Sequence, residues 1–143
     1  MALHLIKLCV GAESIADLET WIASTRAAQD RAGRPREQAH TTRMVPKRAA
    51  ELLDGGSLYW VIKGQVCARQ RLLAVRPFTD SAGVGRCRLV LDPAVVAVAP
   101  QPRKAFQGWR YFEPKDAPAD LKTGGGGDLP ETLRRELATL GLI

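Results

Sequence analysis

The first half of the chain alternates between strand-like and helical patterns of apolar positions. Residues 1–10 form an apolar run that predicts a buried strand. Ser14, with an aspartate three residues later, marks a helix start, and apolar residues recur behind it at helical spacing. Trp21 flanks that stripe, and we expect it to pack against the core. Residues 40–45 then predict a short strand, which Pro46 ends.

A second helix is predicted from Pro46 to Leu53. Proline suits the first helical position, and the Asp54-Gly55-Gly56 segment stops the helix. Lys47 and Arg48 would then lie in the first turn, where positive charge opposes the helix macrodipole. A phosphate bound at that end would supply the missing favourable interaction.

The clearest strand signal follows this helix. A run of strand formers beginning at Leu58 reaches Lys63-Gly64, where the chain can turn tightly into a second run. We therefore predict an antiparallel pair, Leu58–Lys63 with Gln65–Val75. Aromatic and arginine side chains on one such sheet suit a polyanion with flat bases.

Arginines recur on the predicted sheet. Arg69 and Arg71 project from the same face of the second strand, and Arg86 and Arg88 from one face of a further strand over residues 86–91. Two adjacent strands could therefore line up four arginines.

Residues 100–113 interleave aromatic and basic side chains. The aromatics are Phe106, Trp109, Tyr111 and Phe112. This composition is found in base-stacking platforms, and it is equally that of a final strand whose aromatics fasten a small sheet. Trp109 and Arg110, which follow Gly108, are retained as binding candidates.

The 143 residues fit one domain. We predict an α+β fold over residues 1–121, with a small curved, mostly antiparallel sheet or pseudo-barrel and flanking helices. Residues 122–143 predict a glycine-rich linker and a C-terminal helix that docks on the domain or on a partner subunit. The N-terminal apolar run is interrupted by His4 and Lys7 and is too short to span a membrane, so we expect a cytoplasmic protein without membrane association.

The net charge of +6 is concentrated in blocks. Residues 26–48, 63–88 and 103–110 hold sixteen of the 21 basic residues, and most of the sixteen are arginines. Arginine grips phosphate in bidentate fashion and stacks on bases. The pattern favours an anionic partner, with a generally basic surface as the alternative.

The three cysteines, Cys9, Cys67 and Cys87, are far apart and embedded in apolar runs. Their spacing fits neither a disulfide framework nor a metal site, and the chain has only two histidines to assist. We expect reduced thiols, no bound metal and no cofactor.

Three segments carry a resemblance to a known family. They are M-A-L-H-L-I-K-L-C-V-G at the start, T-R-M-V-P-K-R-A-A-E-L-L-D-G-G-S-L-Y-W-V-I-K-G in the middle, and P-R-K-A-F-Q-G-W-R-Y-F near the end. They resemble an uncharacterised family of short bacterial proteins, the domain of unknown function numbered 1489.

More distantly, the order of elements is similar to PUA-like barrels of the EVE type. That resemblance implies a small, partly open β-barrel that binds RNA or a modified base. It also implies a pocket between the helix Pro46–Leu53 and the strand carrying Tyr59 and Trp60. The chain departs from the pattern at residues 40–43, His-Thr-Thr-Arg, where several EVE-type proteins have a tryptophan-containing motif.

The leading hypothesis is a non-catalytic domain that binds RNA or a modified nucleotide. The candidate binding residues are Arg43, Lys47, Arg48, Tyr59, Trp60, Lys63, Arg69, Arg71, Trp109 and Arg110. A protein-interaction module that forms homo-oligomers through its aromatics is the second hypothesis. An enzyme is the third: His40 with Lys47, Tyr59 or Lys63 could supply acid-base chemistry, but no nucleophile or carboxylate pair stands at catalytic spacing.

Overall fold

The computed structural model describes residues 3–121. The elements in chain order are β1 (His4–Leu8), α1 (Ile15–Arg31), β2 (Gln38–Thr42), α2 (Ala49–Leu52), β3 (Ser57–Ile62), β4 (Gln65–Thr79), β5 (Gly85–Leu91), β6 (Val96–Pro102) and β7 (Trp109–Phe112). The predicted linker and C-terminal helix at 122–143 lie outside the described residues.

The helix α1 begins at the predicted cap. The hydroxyl of Ser14 accepts a hydrogen bond from the backbone N–H of Asp17 at 3.0 Å, which satisfies one of the free N–H groups at the helix start. Leu18 and Ile22 are buried against the sheet. The packing expected of Trp21 is wrong, because 48% of this residue is exposed and its ring faces a pocket beside the sheet.

The predicted hairpin is confirmed. β3 and β4 pair antiparallel, with Ile62 opposite Gln65. Lys63 and Gly64 both have positive φ, +49° and +75°, as a tight two-residue turn between twisted strands requires.

Within the described residues the strands form one sheet in the order β2-β5-β4-β3-β1-β7, and β6 also pairs with β4. β5 and β6 follow each other along one edge of the long strand β4, whose other edge carries β3. β1 and β3 are parallel, and the other strand pairs are antiparallel. The α+β class and the mostly antiparallel sheet are confirmed, but the sheet does not close into a barrel.

Each face of the sheet carries an apolar cluster. The larger cluster contains Leu5, Trp60 and Leu91, and α1 covers it with Leu18 and Ile22. The smaller cluster, on the opposite face, is built around residues such as Ile6, Tyr59, Val98 and Phe112. β1 and β3 are buried on both faces, as expected for central strands.

The predicted helix at Pro46–Leu53 is wrong in extent, because α2 covers only Ala49–Leu52. The backbone N–H groups of Lys47 and Arg48 donate to the hydroxyl of Tyr111, at 2.9 and 3.2 Å. These bonds hold residues 47 and 48 against β7, and Arg48 has the non-helical backbone of an N-cap residue. Lys47 and Arg48 therefore do not lie in the first turn of a helix, as the phosphate hypothesis assumed.

The four arginines of β4 and β5 are not lined up. Arg69 and Arg71 lie in the half of β4 that pairs with β3. Arg86 and Arg88 lie opposite Phe78 and Arg76, in the other half of that strand. The two pairs of arginines therefore lie along different halves of the 15-residue strand β4. The alternation of residues in the sequence does not reveal this offset.

Candidate functional site

Several basic residues lie near the end of the sheet where the parallel strands β1 and β3 finish. The backbone N–H of Arg103 donates to the carbonyl of Gly64 at 2.8 Å, which holds the loop after β6 against the β3–β4 turn. The same loop leads to β7, which pairs with β1. We name the surface formed here by Lys63, Arg103, Lys104, Phe106 and Arg110 the end patch.

Phe106 lies close to two guanidinium groups in the end patch. The carbon centre of the Arg103 guanidinium is 5.5 Å from the ring centroid, and that of Arg110 is 5.3 Å away. The ring is half-buried and packs against the smaller apolar cluster, whereas both arginines are exposed. Such cation–π contacts orient the guanidiniums without neutralising them.

The charge of the end patch is almost uncompensated. Within residues 3–121, no carboxylate forms an ion pair with Arg103, Lys104 or Arg110. Lys63 lies 3.8 Å from Glu13, and both side chains are largely exposed, so solvent screens this pair. The end patch can therefore hold an anion without displacing a strong internal partner.

A second basic segment, residues 43–48, lies on the other face of β7. The indole N–H of Trp109 donates to the carbonyl of Met44 at 2.8 Å, and Tyr111 accepts the two backbone bonds described above. Trp109 is 7% exposed and packs against Tyr111 with ring centroids 4.9 Å apart. Trp109 thus fastens the segment and presents no free ring face.

The three basic side chains of that segment differ in their partners. Arg48 forms an ion pair with Glu51 at 2.6 Å and lies over the ring of Tyr111 at 5.6 Å. The hydrogen bonds from Arg48 hold the pKa of the Glu51 carboxyl below its ordinary value. Arg43 and Lys47 are exposed, and no carboxylate among the described residues pairs with either.

Tyr59 and Trp60 belong to the core. Tyr59 is 4% exposed and meets the rings of His4 and Phe112 edge-on. Trp60 is 1% exposed, and its indole N–H donates to the side-chain oxygen of Gln70 at 2.9 Å. Neither ring presents a face to solvent, so a base cannot stack on it in this conformation.

Arg69 and Arg71 lie away from the end patch. Arg69 makes two hydrogen bonds of 2.7 Å to the carboxylate of Asp120 and a third of 3.0 Å to the Ser57 hydroxyl. Arg69 lies four residues along β4, about 13 Å from the hairpin turn, since a strand rises roughly 3.3 Å per residue. Arg71 is exposed further along the same strand. Of the predicted binding residues, Arg110 lies beside Phe106, and Lys63 lies in the β3–β4 turn against which the loop after β6 is held.

A pocket of about 320 Å³ lies between α1 and the sheet. Its lining residues are Cys9, Val10, Gly11, Ala12, Asp17, Leu18, Trp21, His40 and Trp60. The pocket implied by the EVE-type resemblance would lie beside α2, whereas this one lies beside α1.

Sequence reasoning missed Cys9 and Trp21 as pocket residues. The available signal was Lys7, a charged residue inside the apolar run of β1 that lies beside the pocket. It lies opposite Trp60 on β3 and opposite Trp109 on β7.

Burial dominates the titration of groups around the pocket. It lowers the pKa of His40 to about 4, with a smaller contribution from the charge of Lys7. It raises the pKa of Cys9 to about 11 and lowers that of Lys7. At neutral pH, His40 is therefore a neutral imidazole and Cys9 a thiol.

The three cysteines and two histidines all lie within residues 3–121, which the structure describes. The structure joins none of Cys9, Cys67 and Cys87 by a disulfide. No group of three His, Cys, Asp or Glu side chains among residues 3–121 is arranged to hold a metal ion. No helix in that range is long and apolar enough to span a membrane.

Comparisons with known proteins give one result. No curated protein and no solved structure matches the chain. The profile of a family described as "Protein of unknown function (DUF1489)" matches residues 5–143. Because this match covers nearly the whole sequence, the chain belongs to the DUF1489 family.

Proposed function

We propose that the protein is a non-catalytic RNA-binding module and that the end patch holds the nucleic acid. The observation that carries this proposal is Phe106 with Arg103 and Arg110 at 5.5 and 5.3 Å from its ring. Uncompensated guanidiniums bind phosphates, and an aromatic ring beside them supports a base. A single strand suits this arrangement because its bases are free to stack.

The segment at residues 43–48 extends the proposed surface. Arg43 and Lys47 carry positive charge on the far side of β7, and Trp109 and Tyr111 hold their backbone in place. A single-stranded RNA that runs from the end patch around the edge of β7 would reach these two side chains. Trp60, Tyr59 and Trp109 have structural roles in this proposal.

The test is a titration of fluorescently labelled single-stranded oligouridylate at several salt concentrations. Each phosphate contact on a single strand contributes roughly −0.7 to the slope of log K against log salt. Arg103→Ala with Arg110→Ala should therefore weaken binding and reduce the slope by about 1.4. Phe106→Ala should lose about 1–3 kcal/mol of binding free energy and leave the slope nearly unchanged.

A matched control removes the same charge elsewhere. Arg31 and Arg34 lie at the far end of α1, whose 17 residues span about 25 Å. Arg31→Ala with Arg34→Ala should leave the slope unchanged. Equal losses in the two double variants would show general basicity instead of a site. No binding by the wild type at 50 mM salt would end the proposal, and thermal melting should accompany each titration.

A further inference from the structure

The pocket beside α1 has a buried floor and an exposed rim. Trp60, 1% exposed, and the half-buried His40 lie at the floor, with their rings edge-on at 5.2 Å between centroids. Trp21 and Asp17 are exposed and form the rim. A volume of about 320 Å³ is roughly twice that of an engineered cavity that holds benzene, so a two-ring compound fits.

Lys7 is not a lining residue, but it brings positive charge close to the floor of this pocket, next to Trp60. It shares a sheet face with Leu5 and is the direct neighbour of Trp60 in the parallel pairing. Its charge acts on both His40 and Cys9, which line the pocket. Within residues 3–121, Lys7 has no carboxylate partner. A half-buried ammonium without a counter-ion leaves part of its desolvation cost unrecovered.

The rim has the opposite charge. One carboxylate oxygen of Asp17 accepts the backbone N–H of Glu13 at 3.0 Å, which fixes the side chain at the start of α1. A negative group on a ligand is therefore favoured at the floor, near Lys7, and disfavoured at the rim. The neutral imidazole of His40 can donate or accept one hydrogen bond beside that group.

We propose that this pocket binds a small aromatic monocarboxylate. The ring lies against the exposed indole of Trp21, and the carboxylate lies at the floor, on the side where Lys7 neighbours Trp60. Asp17 repels a second negative charge at the rim. This binding does not rest on the proposed RNA binding, since the end patch and the pocket share no residue.

The test is calorimetric titration of the full chain with indole-3-carboxylate and with its uncharged analogue, indole-3-carboxamide. We expect saturable one-to-one binding of the acid with a dissociation constant below about 1 mM. The carboxamide should bind about tenfold more weakly, because the attraction between a carboxylate and the positive charge of Lys7 is lost. This comparison uses the wild type and needs no variant to fold.

Variants then locate the site. Lys7→Met keeps most of the side-chain stem and should reduce the affinity for the acid to that for the carboxamide. Trp21→Ala, at a half-exposed position, should weaken both ligands. Lys104→Met removes an exposed lysine of the end patch and should change neither. Lys7→Met should also leave RNA binding unchanged, so failure here is distinguishable from failure of the RNA proposal.

Three results would overturn the inference. They are no saturable binding of indole-3-carboxylate up to about 10 mM, equal affinities for the acid and the carboxamide, and an acid affinity unaffected by Lys7→Met in a variant that melts like the wild type.

Discussion

His40 makes the stability of the fold depend on pH. Its imidazole is packed edge-on against Trp60, and burial lowers its pKa from 6.5 to about 4. In the unfolded chain His40 takes up a proton below about pH 6.5, so the stability that it contributes is complete above that pH and is lost as pH falls towards 4. The full loss is on the order of 3 kcal/mol, from about 1.4 kcal/mol per pKa unit.

Urea unfolding at pH 4.0, 5.0, 6.0 and 7.5 measures this effect. His40→Phe keeps an aromatic ring against Trp60 and removes the titration, so its free energy of unfolding should decline less over this range. His4, whose ring nitrogen accepts the Ser57 backbone N–H at 3.0 Å, is present in both proteins and cancels in the comparison. Parallel curves for the two proteins would contradict the assignment.

Trp60 is the second residue whose role can be measured directly. Its indole N–H donates to Gln70, whose amide nitrogen donates in turn to the carbonyl of Asp92 at 2.8 Å. Trp60→Phe leaves the buried oxygen of Gln70 without its donor, which costs about 1–3 kcal/mol before any cavity is counted. Trp21→Phe, at a half-exposed position, should stay within about 0.5 kcal/mol of the wild type. Chemical denaturation measures the free energy of unfolding of both variants. Equal losses of stability would contradict the burial of Trp60.

Among the helices and strands, the sequence predicted correctly the features that depend only on adjacent residues. The cap at Ser14 and the turn at Lys63-Gly64 depend on a few adjacent residues, and both are confirmed. The helix α2 begins only at Ala49, and the residues before it donate their N–H groups to Tyr111, more than sixty positions later. No local pattern contains that bond.

The candidate site shows the same limit. Lys63 and Arg110, which were proposed from the sequence, are exposed residues of the end patch, because exposed basic residues are readily found from sequence. Trp60 and Trp109 were also predicted to bind, yet both are buried. An aromatic side chain is as suitable for a core as for a binding surface, and only its neighbours in space decide between the two.

The junction between α2 and β3 gives an element-scale prediction. Gly56 is buried, and a side chain there would overlap the carbonyl oxygens of Leu3 and Leu52. Both obstacles are backbone atoms, so Gly56→Ala must shift β1 or α2, and we expect a loss of more than about 3 kcal/mol or failure to fold. Gly85→Ala, where a methyl group would meet nothing within 4 Å, is the matched control. Similar melting temperatures for the two variants would show that the junction is looser than described.

For the whole molecule, the cysteines report on global unfolding. Cys67 and Cys87 are 3% and 0% exposed, and the pKa of Cys9 is raised to about 11. At pH 8, roughly one Cys9 side chain in a thousand is therefore the reactive thiolate. We expect slow alkylation by iodoacetamide in the native protein and rapid alkylation of all three thiols across the urea transition, monitored by mass spectrometry. Rapid alkylation of one thiol in the native protein would contradict this prediction and would show that the segment carrying that cysteine opens locally.

The position of β1 in the sheet has a consequence for how the chain folds during synthesis. Leu5, near the start of the chain, pairs with Leu58 on one side and with Tyr111 on the other. During synthesis β1 must therefore wait for one neighbour about fifty residues later and for the other about fifty residues after that. Such distant pairings raise the contact order and slow folding. Until residue 112 has emerged, β1 has at least one open edge, and nascent chains are exposed to mispairing and to chaperones throughout that interval.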